Sequence, residues 1–282
     1  MKFGLLLPHF GEHANKRMLL DGSVLAESYG FDSVWVRDHL VFEPHGEMEN
    51  PDPNFYEALT TLTAIGAVTE KISLGTGSLI PFRHPVHTAL TIGTMAQLLG
   101  DRLIMGWGAG TFDNEFKVIG WDGRNRVEMV RSNSEILKKL LTQDNVSHTD
   151  EFFSFENVTI QPRPNEPVPF WYCGATPKSA RLAAEYADGW MPGRTTLRTI
   201  HDRVETMKGL VKENGRPLPT VAVIPPTSIA SRSELAWDGL NVDGLIAWAN
   251  KRGKWWSKPE SGEFKTAADI EGSLIAGNPE EV

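Results

Sequence analysis

Hydrophobic residues gather in short runs that end in glycine, proline or a polar residue, at positions 3–8, 33–37, 72–77, 103–108, 169–173, 189–192 and 220–225. The runs are apolar at successive positions, the pattern of strands buried on both faces. Between them the apolar spacing changes to three or four residues. Ala180, Ala183, Ala184 and Ala187 mark one helical face, and Val127, Val130, Leu137 and Leu141 mark a longer one. The first four runs start about 30 to 40 residues apart, the length of a βα unit. Strand alternating with helix predicts an α/β fold with a parallel sheet, and at 282 residues a TIM-type (β/α)8 barrel is the expected architecture. The doubly wound alternative carries a glycine fingerprint after its first strand. Here that position reads Pro8-His9-Phe10-Gly11, without the spacing.

Two segments break the rhythm. Residues 151–157, followed by Val158-Thr-Ile-Gln161 and a proline-rich stretch to Pro169, predict a small hairpin ahead of the fifth barrel strand. Residues 231–272 hold Trp237, Trp248, Trp255 and Trp256 and predict a long excursion after strand seven, with helix at 243–250 and 267–276. Excursions of that length on a barrel serve as lids or subunit contacts. Gly277-Asn278-Pro279-Glu280-Glu281-Val282 reads as a helix start, with Asn as cap, Pro at the first position and acids in the first turn. The expectation is one domain over 1–282, a barrel short of its last strand and helix. Its first and seventh strands would then be open edges unless a partner or the Trp-rich segment covers them.

Composition narrows the function classes. Hydrophobic residues make up 40% and charged residues 23%, as in a globular protein. A net charge of -8 argues against a nucleic-acid partner, whose phosphates demand a basic face. No run approaches the ~18 apolar residues that span a bilayer, and Met1-Lys2 leads directly into the first strand, so a cytoplasmic location is expected. The single cysteine, Cys173, has no internal disulfide partner and reads as a core thiol. No helix-spaced histidine pair with an acid is present, and no metal is expected.

Candidate chemistry lies at the strand ends. Leu103-Ile-Met-Gly-Trp-Gly-Ala-Gly110 places three glycines at alternate positions, with Asp113 and Glu115 beyond; such a strand end either admits a flat ligand or makes a tight turn. Arg37-Asp38-His39 sets an imidazole at the C-terminal mouth, with Asp38 a candidate helix cap. Leu74-Gly-Thr-Gly-Ser78 suggests a bulge. Arg83 and His84, just ahead of a helix with Pro85 at its first position, either reach an anionic ligand or serve as caps. Gly174, Ala175 and Thr176 precede Pro177 and the Ala-rich helix, and read equally as a phosphate cradle or a plain cap. Trp190 falls in the sixth strand, and Arg194 just past it is a candidate ligand to phosphate or substrate.

Taken in order, Phe3-Gly-Leu-Leu-Leu-Pro8, Ser33-Val-Trp-Val-Arg-Asp-His39, Leu74-Gly-Thr-Gly77, Arg83-His-Pro85, the 100–110 segment with Glu115-Phe116, and Ala187-Asp-Gly-Trp190 resemble the luciferase-like monooxygenases, which include bacterial luciferase, alkanesulfonate monooxygenases and oxidoreductases dependent on the deazaflavin coenzyme F-420. The resemblance covers Met1 to about Arg203 and resumes over 275–282. It implies a barrel with a flavin-type ring across the C-terminal mouth, packed on Gly75, Thr76, Gly77 and Ser78, with a non-prolyl cis peptide at Gly77–Ser78. It implies His39 as proton donor or acceptor, Trp107, Gly108 and Gly110 as pocket wall, Gly174 to Thr176 at the cofactor phosphate, and Arg83 or Arg194 on anionic groups. The implied activity is an FMN- or F-420-dependent oxidoreductase, a monooxygenase by preference and with FMN preferred, cytoplasmic, dimeric and acting on a small organic molecule. A flavin-binding protein without turnover is the alternative. In the glucose-phosphate dehydrogenase branch a catalytic glutamate follows the fourth strand, where this chain has Thr111, so that activity is not expected.

Overall fold

A computed structural model describes residues 1–41, 43, 52–122 and 125–282. Two compact units are distinguished, Met1–Trp171 and Tyr172–Val282.

In the first unit the strands are β1 (Gly4–Leu6), β2 (Ser33–Val36), β3 (Ser73–Leu79) and β4 (Leu103–Trp107), all parallel, with Leu5 beside Val34, Val34 beside Leu74 and Leu74 beside Leu103. Val34, Leu74 and Leu103 are buried, as uninterrupted apolar runs require. Two of the helices here begin at side-chain caps. α1 is Gly22–Ser28. In α2 (Ala58–Gly66) the Glu57 side chain accepts from Thr60 N, and α3 (Pro85–Leu99) has His84 as cap and Pro85 in its first turn. α3 buries Thr88, Ile92, Met95 and Leu99, one stripe at helical spacing. α4 (Asp113–Val118) and α5 (Arg126–Leu140) follow.

The expected hairpin exists with different strands. β5 (Val146–Thr149) pairs antiparallel with β6 (Ser154–Val158), so residues 150–153 are the turn and not the first strand. Asp150 decides this, because its carboxylate accepts from Phe152 N and Phe153 N, both at 2.7 Å, and closes the turn through the Phe-Phe pair.

The division between units falls inside β7 (Phe170–Cys173), which is followed by α6 (Pro177–Tyr186), β8 (Gly189–Met191), α7 (Leu197–Asn214) and β9 (Thr220–Val221). In the first unit hydrogen bonding runs β1-β2-β3-β4, and in the second β8 pairs in parallel with β9, Gly189 beside Thr220. Thr176 caps α6, Thr196 caps α7, and Gly215 at φ 64° ends α7. The Trp-rich segment has structure of its own. β10 (Thr227–Ile229) pairs in parallel with β11 (Ile275–Gly277), and between them lie α8 (Ser233–Asp238) and α9 (Val242–Arg252). Leu245, Ala249, Trp256, Phe264, Ile270 and Leu274 form an apolar cluster there.

Helix at 243–250 is present within α9, but the expected helix at 267–276 is not. A single 3-10 turn at Ala268–Ile270 stops before Gly272, whose φ of 78° leaves helical space, and the chain then enters β11. At 278–282 the chain makes the turn the expected helix start requires, with Asn278 Oδ1 accepting from Glu280 N and Glu281 N and Asn278 O from Val282 N at 3.2 Å. No described helix is long and apolar enough to cross a membrane.

Candidate active site

β2 delivers Arg37, Asp38 and His39 to the C-terminal ends of the parallel strands in the first unit. Asp38 is buried and caps no helix, which corrects the expectation of a cap. Its carboxylate accepts from Ile80 N at 3.0 Å and from both terminal nitrogens of Arg83 at 2.8 and 2.9 Å. Arg83 also reaches Glu57 at 2.5 Å, and Glu57 is the cap of α2. One guanidinium thus ties the end of β2 and the segment after β3 to the first turn of α2. Burial opposes the charge on Arg83, but the bonds and charges of Asp38 and Glu57 outweigh it and hold the group protonated. For Asp38, burial pushes the carboxyl upward against the pull of Arg83. Arg83, expected on an anionic ligand, is bonded to two carboxylates of the chain itself.

His39 is held by a residue 76 positions away. Its Nδ1 lies 3.1 Å from Glu115 Oε1, which also accepts from Leu40 N at 2.7 Å and Val41 N at 3.4 Å. Glu115 sits in α4 with no exposure, and its Oε2 is buried without a hydrogen-bond partner among the described residues. The His39 ring meets Phe112 at 5.6 Å between centroids. His9, after β1, is also buried; its Nε2 accepts from Arg37 N at 3.1 Å, and burial lowers its pKa to about 4, so it stays neutral.

β3 carries the expected cis peptide at Gly77–Ser78, and its register with β4 shifts between Thr76 and Leu79. Gly77 and Ser78 are half-buried there, a stretch of backbone out of the ladder that a flat ligand can lie against. The neighbouring glycines have other reasons. A Cβ on Gly75 would stand 2.2 Å from the Trp35 indole, and one on Gly108 would stand 2.3 Å from Ser78 Oγ. Gly110 has φ 73°, with Ile80 and Phe116 each 3.0 Å from the Cβ position. At all three the missing side chain makes room for protein atoms. Thr76 is buried, with its hydroxyl on Gly106 O and Gly106 N at 2.9 and 3.0 Å, and Trp107 is buried and stacked on Phe170. A surface groove of about 510 Å³ opens at Gly120, Trp121, Asp122, Asn125, Glu151 and Phe152.

In the second unit, Gly174 N donates to Met191 O at 3.0 Å and Gly174 O accepts from Trp190 Nε1 at 3.0 Å. The Thr176 hydroxyl caps α6 through Ser179 N. What remains for an anion at Gly174, Ala175 and Thr176 is the positive end of a ten-residue helix. Arg194 lies over the Trp248 ring at 5.0 Å. Cys173 is only partly buried in β7, short of the expected core position, and the surrounding protein still pushes its thiol up by desolvation.

The sequence reading placed His39 at the end of β2 and a bulge in β3, where the structure has both. It missed the grip of Glu115 on His39 and of Asp38 on Arg83, which no spacing rule connects across 76 and 45 positions.

Comparison with known proteins places these features. An F-420-dependent glucose-6-phosphate dehydrogenase of Amycolatopsis mediterranei is 32% identical over 185 residues, covering 64% of this chain and 54% of that protein. Its counterpart in Beutenbergia cavernae is 35% identical over 179 residues, covering 62% and 52%. The chain spans about half the length of these curated relatives. The crystal structure of the monooxygenase RslO1 of Streptomyces bottropensis superposes with a TM-score of 0.76 at 22% identity, covering 100% of this chain and 86% of that one. The family model described as luciferase-like monooxygenase matches residues 1–282, so the cis bulge of β3 and the histidine at the end of β2 belong to a member of that family.

Proposed function

We propose that the chain is an oxidoreductase that uses a deazaflavin or flavin cofactor on a small organic substrate. The carrying observation is His39, an imidazole at the end of a parallel strand, fixed by a fully buried glutamate. Its neighbour Asp38 holds Ile80 N, two residues past the bulge. The donor set fits a flat, largely apolar ring: half-buried backbone at Gly77 and Ser78, and a histidine able to hold or release a proton. In the second unit, taken by itself, the N-terminus of α6 suits an anionic group. When bound, the cofactor supplies the oxidation or reduction, by hydride transfer or by activating oxygen. Within the chain, His39 moves the proton, while Asp38 and Arg83 keep the end of β2 and the segment after β3 in fixed relation.

The names of the matched relatives support coenzyme F-420 over FMN, against the preference drawn from sequence. Thr111 stands where the resemblance puts a glutamate in the glucose-phosphate branch, which supports a substrate other than a sugar phosphate.

Titrating the protein with F-420 and with FMN, followed by absorbance and fluorescence, tests the reading. Binding of neither overturns it, and binding without turnover of any substrate leaves a flavin-binding protein. For His39→Ala, turnover should fall about a hundredfold or more with cofactor affinity preserved. Unchanged turnover would remove His39 from the mechanism.

A further inference from the structure

We infer that Glu115 is the positioning residue for His39: it fixes the imidazole proton on Nδ1 and leaves Nε2 as the nitrogen that exchanges a proton in the reaction, the second half of which rests on the function proposed above. Glu115 enters from α4, and a single oxygen, Oε1, meets three nitrogens of one short segment: His39 Nδ1 at 3.1 Å, Leu40 N at 2.7 Å and Val41 N at 3.4 Å. Both backbone amides are donors only. An oxygen in that setting is an acceptor, so a ring nitrogen at 3.1 Å from it is stabilised as N–H and repelled as a lone pair. The arrangement is shut away from water, with Glu115 at no exposure and the His39 side chain at 12%. Water therefore does not compete for the Nδ1 proton at the glutamate. The second oxygen, Oε2, is buried and has no hydrogen-bond partner among the described residues. A carboxylate placed only to pin backbone would do better using both oxygens. A half-used buried carboxylate carries a desolvation penalty that the His39 contact helps to offset. Phe112, the residue before α4, lies against the imidazole at a tilt of 42° and restrains ring rotation.

The test uses the full chain labelled with 15N-histidine, without cofactor, so that its result does not depend on turnover. His39 signals are assigned by their loss in His39→Asn. In the wild type the neutral His39 ring is expected as one tautomer, protonated at Nδ1, with that proton shifted downfield by a charge-assisted bond. In Glu115→Gln, which keeps the shape and removes the charge, the Nδ1 proton should move upfield, and kcat should fall about tenfold or more with KM and cofactor affinity held. An Nε2-protonated tautomer in the wild type overturns the proposal even if the variant fails to fold. So does an unmoved Nδ1 proton in a folded Glu115→Gln, since Glu115 would then serve the Leu40–Val41 backbone alone. A correct tautomer with full turnover in His39→Ala overturns the role given to Nε2, and the catalytic reading of His39 with it, while the contact itself stands.

Discussion

Gly75 shows how a single position serves the site at one remove. It lies opposite Trp35 in the β2–β3 register, and its missing Cβ leaves space for the indole. Gly75→Ala puts a carbon 2.2 Å from that ring in a buried strand, so it should destabilise the protein by about 1 to 3 kcal/mol, read as a lower denaturation midpoint. An unchanged midpoint would show that the indole moves aside freely. In the sequence, Gly75, Gly108 and Gly110 looked like openings for a ligand. The space a Cβ would take there is occupied by Trp35, Ser78, Ile80 and Phe116, from β2, β3, the segment after it and α4. The identity of a glycine is visible in sequence; the atom that needs its space is not. The same holds for His39, whose position at a strand end was legible, while its partner Glu115 was only a nearby acid in a glycine-rich motif.

At the scale of elements, the strand and helix order followed from hydrophobic spacing, and Pro85 and Pro177 stand in first turns as expected. Failures came where a local bond outweighed the pattern. Asp150 turned a run of phenylalanines into a loop, and Gly272 cut short an Ala-bearing segment. The joint between elements is the Asp38–Arg83–Glu57 network. Arg83→Ala leaves the buried Asp38 carboxylate without its cation and should cost about 3 kcal/mol, a loss detectable by chemical denaturation. Adding Asp38→Asn should recover part of that loss, because the neutral amide needs no counter-charge. If the double variant is no more stable than Arg83→Ala, the pair contributes by packing and not by charge.

For the molecule as a whole, the acid limit of stability carries a signature of His9. Its folded pKa of about 4 lies below the ordinary 6.5, so the fold prefers the neutral ring. The unfolded chain takes up the proton first, so this contribution is full above pH 6.5 and is lost as pH falls from there toward about 4. The loss reaches roughly 3 kcal/mol. His9→Gln keeps an acceptor for Arg37 N without titrating, so its melting temperature should depend less on pH across that window. Equal slopes for both proteins would mean that His9 is protonated without cost. The sequence by itself determined the α/β class, the succession of strands and helices along the chain, the family and the strand end that carries the histidine, because periodicity, caps and short motifs are local. Tertiary structure alone decided which carboxylate faces His39, which carboxylates hold Arg83 and which atoms fill the space beside each glycine. Those contacts join residues dozens of positions apart, and nothing in their spacing along the chain selects one partner over another.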